Sequence, residues 1–96
     1  MPLTEFYAFK TKLERRNRIR IPKVLRWRYK MEPGETLKVS VRVFNSESYE
    51  KEAFFARMTS DGRLTLPRLA VQIMQQREGK VLTGVILEVA LSPVRA

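Results

Sequence analysis

Asn17-Arg18-Ile19-Arg20-Ile21-Pro22 and Gly62-Arg63-Leu64-Thr65-Leu66-Pro67 are two copies of one short unit: turn residue, Arg, aliphatic, polar, aliphatic, Pro. The second follows the first by 45 positions. The same spacing carries Phe9 onto Phe54, Leu13 onto Met58, Tyr29 onto Met74, Gly34 onto Gly79 and Leu37 onto Leu82. Alternation within each copy sends Ile19 and Ile21, or Leu64 and Leu66, to the covered face of a strand. A unit this small cannot bury its own apolar side, so a second copy is its natural cover. The pattern predicts one domain over 1–96, with repeats at 6–44 and 53–91 and a polar linker at 45–52.

Reading outward from these units, Phe6–Leu13 alternates as a strand, and Glu14–Asn17 reads as a turn in which Asn tolerates a positive φ. Pro22 suits the first turn of a helix, and Val24, Leu25, Arg28 and Tyr29 then fall at helical spacing. Glu32-Pro33-Gly34-Glu35 is a turn, followed by a half-buried strand through Leu37, Val39, Val41 and Val43. In the second copy Phe54, Ala56 and Met58 share a strand face, and Thr59-Ser60-Asp61-Gly62 is a turn. Leu69, Ala70, Ile73 and Met74 mark a helical stripe, and Val81–Leu91 reads as a strand. Val85, Leu87 and Val89 sit 46 positions after Val39, Val41 and Val43, which predicts one extra residue, as a bulge, near Thr83-Gly84. Ser92–Ala96 reads as a frayed end. Two such halves predict a mainly β fold with two short helices, closed into a small pseudo-two-fold barrel that leaves no open sheet edge.

The composition is that of a folded protein, 44% hydrophobic and 30% charged. No apolar run reaches the roughly 20 residues that span a bilayer, and Met1–Glu5 does not read as a secretion signal. A non-membrane, cytoplasmic protein is expected. The net charge of +9 is uneven: residues 1–44 hold twelve Lys/Arg against four acids, residues 45–96 seven against six. Such an excess attracts polyanions without choosing among sequences.

The repeated unit resembles the swapped-hairpin domain of AbrB/SpoVT-like regulators and MazE-type antitoxins. Gly62–Pro67, with Thr59-Ser60-Asp61 before it, is similar to that family's opening run, and Asn17–Pro22 is a looser match. Lys23, Leu25, Arg26 and Tyr29 fall where the family has basic, aliphatic, basic and aliphatic residues, and Met31–Glu35 resembles its closing turn. Most such proteins carry one unit and dimerise. Two units in one chain imply an intramolecular pseudo-dimer, monomeric, with hairpins swapped or, as in a related duplicated archaeal class, unswapped in a RIFT-type cradle-loop barrel. Both pairings bury the same faces, and the sequence leaves both open.

With no Cys and no His, one Asp and scattered Glu, the chain offers no nucleophile–base pair and no metal cluster. No enzyme activity, metal or cofactor is expected. The resemblance implies double-stranded DNA as partner, contacted by Arg16, Arg18, Lys23 and Arg26 from the first copy and Arg63 and Arg68 from the second. Arg15 and Arg20 join them on the same hairpin, since planar guanidinium forks suit phosphate and guanine edges. Asp61 aligns with Arg16, which predicts an asymmetric surface dominated by the first copy. Trp27 is expected to pack rather than stack on a base, and Tyr29, Phe54 and Phe55 to lie in or near the core. The alternative is a protein-interaction or structural module using Trp27, Phe55 and the Val81–Leu91 strand.

Overall fold

The computed structural model describes residues 5–94. The N-terminal segment 1–4 and the pair Arg95-Ala96 of the expected frayed end lie outside the described residues. The fold is mainly β, with six strands and two helices: β1 Tyr7–Lys12, β2 Arg18–Arg20, α1 Lys23–Arg28, β3 Thr36–Val43, β4 Glu52–Arg57, β5 Arg63–Thr65, α2 Arg68–Glu78 and β6 Ile86–Pro93. The strands form an antiparallel four-stranded sheet in the order β1-β6-β3-β4 and a two-stranded sheet of β2 and β5.

Each of these ladders joins a strand of the first half to a strand of the second. β1 pairs with β6, β4 with β3, β3 with β6 and β2 with β5. Ile19, Ile21, Leu64 and Leu66 are all buried, in one core with Leu37, Val39, Val41, Leu87, Val89 and Leu91. Removing either half would therefore strip both the backbone partners and the apolar cover from the other.

The geometry corrects the repeat alignment. The spacing of 45 holds from β1 to the start of the helices and then becomes 50. Leu13 exchanges backbone hydrogen bonds with Gly84 and Val85, at 2.8 and 3.0 Å, and Met58 does so with Gly34 and Glu35, at 2.7 and 3.0 Å. Gly34 and Gly84, each at φ +86°, are therefore the equivalent pair, and Gly79 is not Gly34's counterpart. The difference of five is the difference in helix length, six residues in α1 and eleven in α2. Gly79 instead ends α2 in the left-handed conformation, its N–H donating to the Gln75 carbonyl. Thr83-Gly84 is a turn rather than a bulge, and β6 starts at Ile86 rather than Val81. Ser92 and Pro93 belong to that strand instead of fraying.

Under the corrected spacing Ser40 pairs with its own counterpart Ala90, and Ile19 with its own counterpart Leu64. The pseudo-two-fold axis passes between both pairs. The helices also sit in a different phase from the one the spacing predicts. Ala70, Val71 and Met74 are buried on α2 while Leu69 is 66% exposed; on α1 Leu25 is buried while Val24 is 77% exposed. Phe54 packs on the core, but Phe55, beside Lys38 on the outer sheet face, is 64% exposed.

The longer α2 reaches the linker. Arg77 Nη2 pairs with Glu50 and Glu52 at 3.0 and 2.9 Å, and the Ser46 hydroxyl donates to Glu78 at 2.6 Å. At the corresponding place after α1, the Tyr29 hydroxyl donates to Glu5 at 2.8 Å, which pushes the phenol's pKa above its ordinary value.

Two experiments test this shared core. Ile19→Ala and Leu64→Ala should each cost about 2–5 kcal/mol in urea unfolding, the range for truncating a packed aliphatic side chain. Fragments 1–47 and 48–96 should each be unfolded by circular dichroism and regain β signal on mixing; a fragment folded by itself would contradict the shared core.

Candidate nucleic-acid interface

The turn from β1 to β2 closes with the Glu14 N–H donating to the Arg18 carbonyl at 2.7 Å. Within its 3-10 turn, Arg15–Asn17, Arg16 and Asn17 both hold positive φ, 62° and 57°. Asn accepts that conformation readily. Arg16 does so at a cost of roughly 1–2 kcal/mol, held by the closure of the turn. The result is that Arg15 and Arg16 project as exposed side chains from the tip.

The matching turn from β4 to β5 is built differently. Thr59 and Arg63 close it through their backbones at 2.9 Å, and the Thr59 hydroxyl donates to Asp61. That hydroxyl and then Arg63 hold the Asp61 carboxylate below the usual range. Arg63 bridges Asp61 and Glu14, its Nε lying 2.6 Å from Glu14 Oε1. These contacts, Glu14 first, raise its pKa further, and its side chain is about one-fifth exposed, at 19%. The β2–β5 ladder aligns Arg18 with Thr65 and Arg20 with Arg63, on the side opposite Ile19 and Leu64. Glu14 also lies 4.0 Å from Arg20 Nε.

The two halves cross at this pole. Ile21 N–H donates to the Gly62 carbonyl at 2.9 Å, and Leu66 N–H to the Asn17 carbonyl at 2.7 Å. Each chain then enters its helix, so α1 starts beside the second turn and α2 beside the first. The Arg26 guanidinium lies against Gly62 so closely that a β-carbon there would collide with it. Its counterpart Val71 is buried among the core side chains.

Of the eight candidate cations, Arg15, Arg16, Arg20, Lys23 and Arg68 are exposed, whereas Arg18, Arg26 and Arg63 are half-buried. Arg18 Nε and Arg26 Nε are buried without a hydrogen-bond partner. The asymmetry expected from the first copy does not map onto one side of the molecule: Arg15 and Arg16 stand beside the second copy's helix, Lys23 and Arg26 beside the second copy's turn.

Two features escaped the sequence. Trp27 does not pack; it is 85% exposed, in an open depression with Lys23, Arg26, Lys30 and Glu32. On the outer face of the four-stranded sheet, Lys10, Glu88 and Arg42 lie in register, with Lys38 and Phe55 paired four residues along β3. Lys10, Glu88 and Arg42 border a shallow trough of about 200 Å³ floored by Ala8, Ala90 and Ser40. Strand parity carried the signal for the sheet face, and only the helix phase could have shown Trp27. Among the described residues there is no group of acidic side chains able to hold a metal ion, and no helix is long and apolar enough to cross a membrane.

Two predictions come from the turns. Gly34→Ala should cost about 1 kcal/mol from its left-handed backbone alone, because nothing lies within 4 Å of the added carbon. Gly62→Ala should cost more, and the excess should vanish in an Arg26→Ala background; equal costs in both backgrounds would reject the contact. The second concerns acid. Because the folded pKa of Asp61 lies below its unfolded value near 3.9, its contribution is present above about pH 4 and fades as pH falls through the folded value. Urea unfolding from pH 5 to 2 should therefore show a shallower loss of stability in Asp61→Asn than in the parent.

No protein-family model matches the chain, and no curated protein matches it. Its fold is similar to that in the solution structure of PHS018 from Pyrococcus horikoshii, with a TM-score of 0.71, 24% sequence identity and full coverage of both chains.

Proposed function

We propose that this protein binds double-stranded DNA in the manner of AbrB-like regulators, as a monomer whose two halves close into a small pseudo-two-fold barrel. The pole carrying both turns, the outer face of β2–β5 and the helix starts is its contact surface. One observation carries this reading: Arg15, Arg16, Arg18, Lys23, Arg26 and Arg68 make no ion pair among the described residues. Three acids elsewhere are engaged locally, Glu50 and Glu52 by Arg77 and Glu88 by Arg42. Unneutralised cations gathered at one end favour a phosphate backbone through release of its counterions. Arg63, held between two carboxylates, orders the turns and takes no part in contact.

A second reading, a protein-interaction module without a nucleic-acid role, is favoured by the exposed apolar side chains Val24, Trp27 and Leu69 on the two helices. Salt separates the two. Duplex binding should weaken steeply and linearly in log affinity against log salt. Arg15→Gln with Arg16→Gln should flatten that slope by about 2, whereas Arg63→Gln should leave it unchanged and lower stability instead. Fluorescence anisotropy with a labelled duplex measures both, and absence of binding at low salt would end the DNA reading.

A further inference from the structure

We infer that Trp27 is a stacking platform for an unpaired nucleobase, so that the protein engages single-stranded nucleic acid at α1 in addition to duplex at the turns. This rests on the nucleic-acid reading above and specifies a second part of the same basic surface.

The indole is 85% exposed although it is the largest apolar side chain in the protein and the only Trp. Leu25 alone anchors α1 in the core, and Val24, also exposed, lies one turn before Trp27 on its own side of the helix. An isolated exposed indole gains nothing for folding, since burial is what makes a large apolar side chain stabilising.

Its surroundings select the occupant. Lys23 lies one turn before it, and Lys30 follows it, with the Lys30 N–H donating to the Trp27 carbonyl at 3.3 Å. Arg26 stands in the same depression, fixed against Gly62, and Glu32 is the one carboxylate lining it. From Lys23 to Lys30 the chain holds Lys23, Arg26, Arg28 and Lys30 and no acid. An apolar peptide would meet this ring of cations unfavourably, and an acidic peptide would leave the flat indole face without a matching partner. A nucleotide supplies both parts, a π-face for the ring and a phosphate for the cations. Paired bases in a duplex keep their faces stacked on one another, so the indole needs a base free of that stack. The counterpart position in α2 is Gln72, so the platform exists once per chain.

The lone Trp makes the test direct. Labelled dT12 and U12 are titrated into the full chain, reading Trp27 emission and label anisotropy together, alongside a 12-base-pair duplex. Stacking should quench Trp27 strongly with either single strand and little with the duplex. Trp27→Ala should weaken single-strand binding about tenfold or more without altering its salt slope, and Trp27→Phe should restore most of it. Lys23→Gln should flatten the slope by about 0.7. A difference between dT12 and U12 would assign the base to one kind of strand. Single-strand binding with unchanged Trp27 emission and full affinity in Trp27→Ala would overturn the platform while leaving the nucleic-acid reading intact. No binding of any of the three would instead remove that reading. A shift of Trp27 emission with protein concentration alone would assign the indole to contact between copies and also overturn the proposal.

Discussion

Backbone pairing between the halves is the constraint on which the other features rest. Each strand that lays an apolar face on the core takes its ladder partners from the opposite half, so neither repeat has a sheet of its own to fall back on. That explains why Ile19 and Ile21 are buried completely: they share one core with Leu64 and Leu66 of the other half, and Ile19 lies directly opposite Leu64 in the ladder. It also explains the mixed character of the basic pole. Once β2 and β5 pair antiparallel, each strand must leave past the other's turn, and the helices that follow are handed to opposite sides. The charge distribution of the surface is thus a consequence of strand pairing as much as of composition.

The fold was largely legible because its strongest signal is local. Ile19, Ile21, Leu64 and Leu66 alternate with polar residues and are followed by Pro, and a period of two has only one buried face to offer. The second half of each repeat was less legible because two glycines with different duties look alike. Gly79 terminates a helix and Gly84 makes the turn equivalent to Gly34; a fixed spacing of 45 picks the wrong one. The five residues by which α2 exceeds α1 are invisible to strand periodicity, since they lengthen a helix without disturbing any ladder.

For the candidate cations, exposure was legible in the sequence and pairing was not. Arg15, Arg16, Lys23 and Arg68 stand exposed where a solvated polar position would place them. Arg63 could not be told apart from them, because its two carboxylate partners, Glu14 and Asp61, come from different turns. Trp27 was misjudged for a related reason. Six residues of helix contain less than two turns, and a stripe that short fixes its phase only through the tertiary contact that Leu25 makes.

The unequal ends of the two helices tie down the two outer strands of the sheet by different chemistry. Arg77 grips Glu50 and Glu52, at the entry to β4, through two ion pairs, whereas Glu5, at the entry to β1, accepts from the Tyr29 hydroxyl just past α1. Both tethers are charge-assisted, since a carboxylate accepts in each, and only the first joins two opposite charges. Both β1 and β4 are outer strands of the sheet, so each edge is anchored twice: by a ladder to the opposite half and, at its entry, by a side chain at the end of its own half's helix.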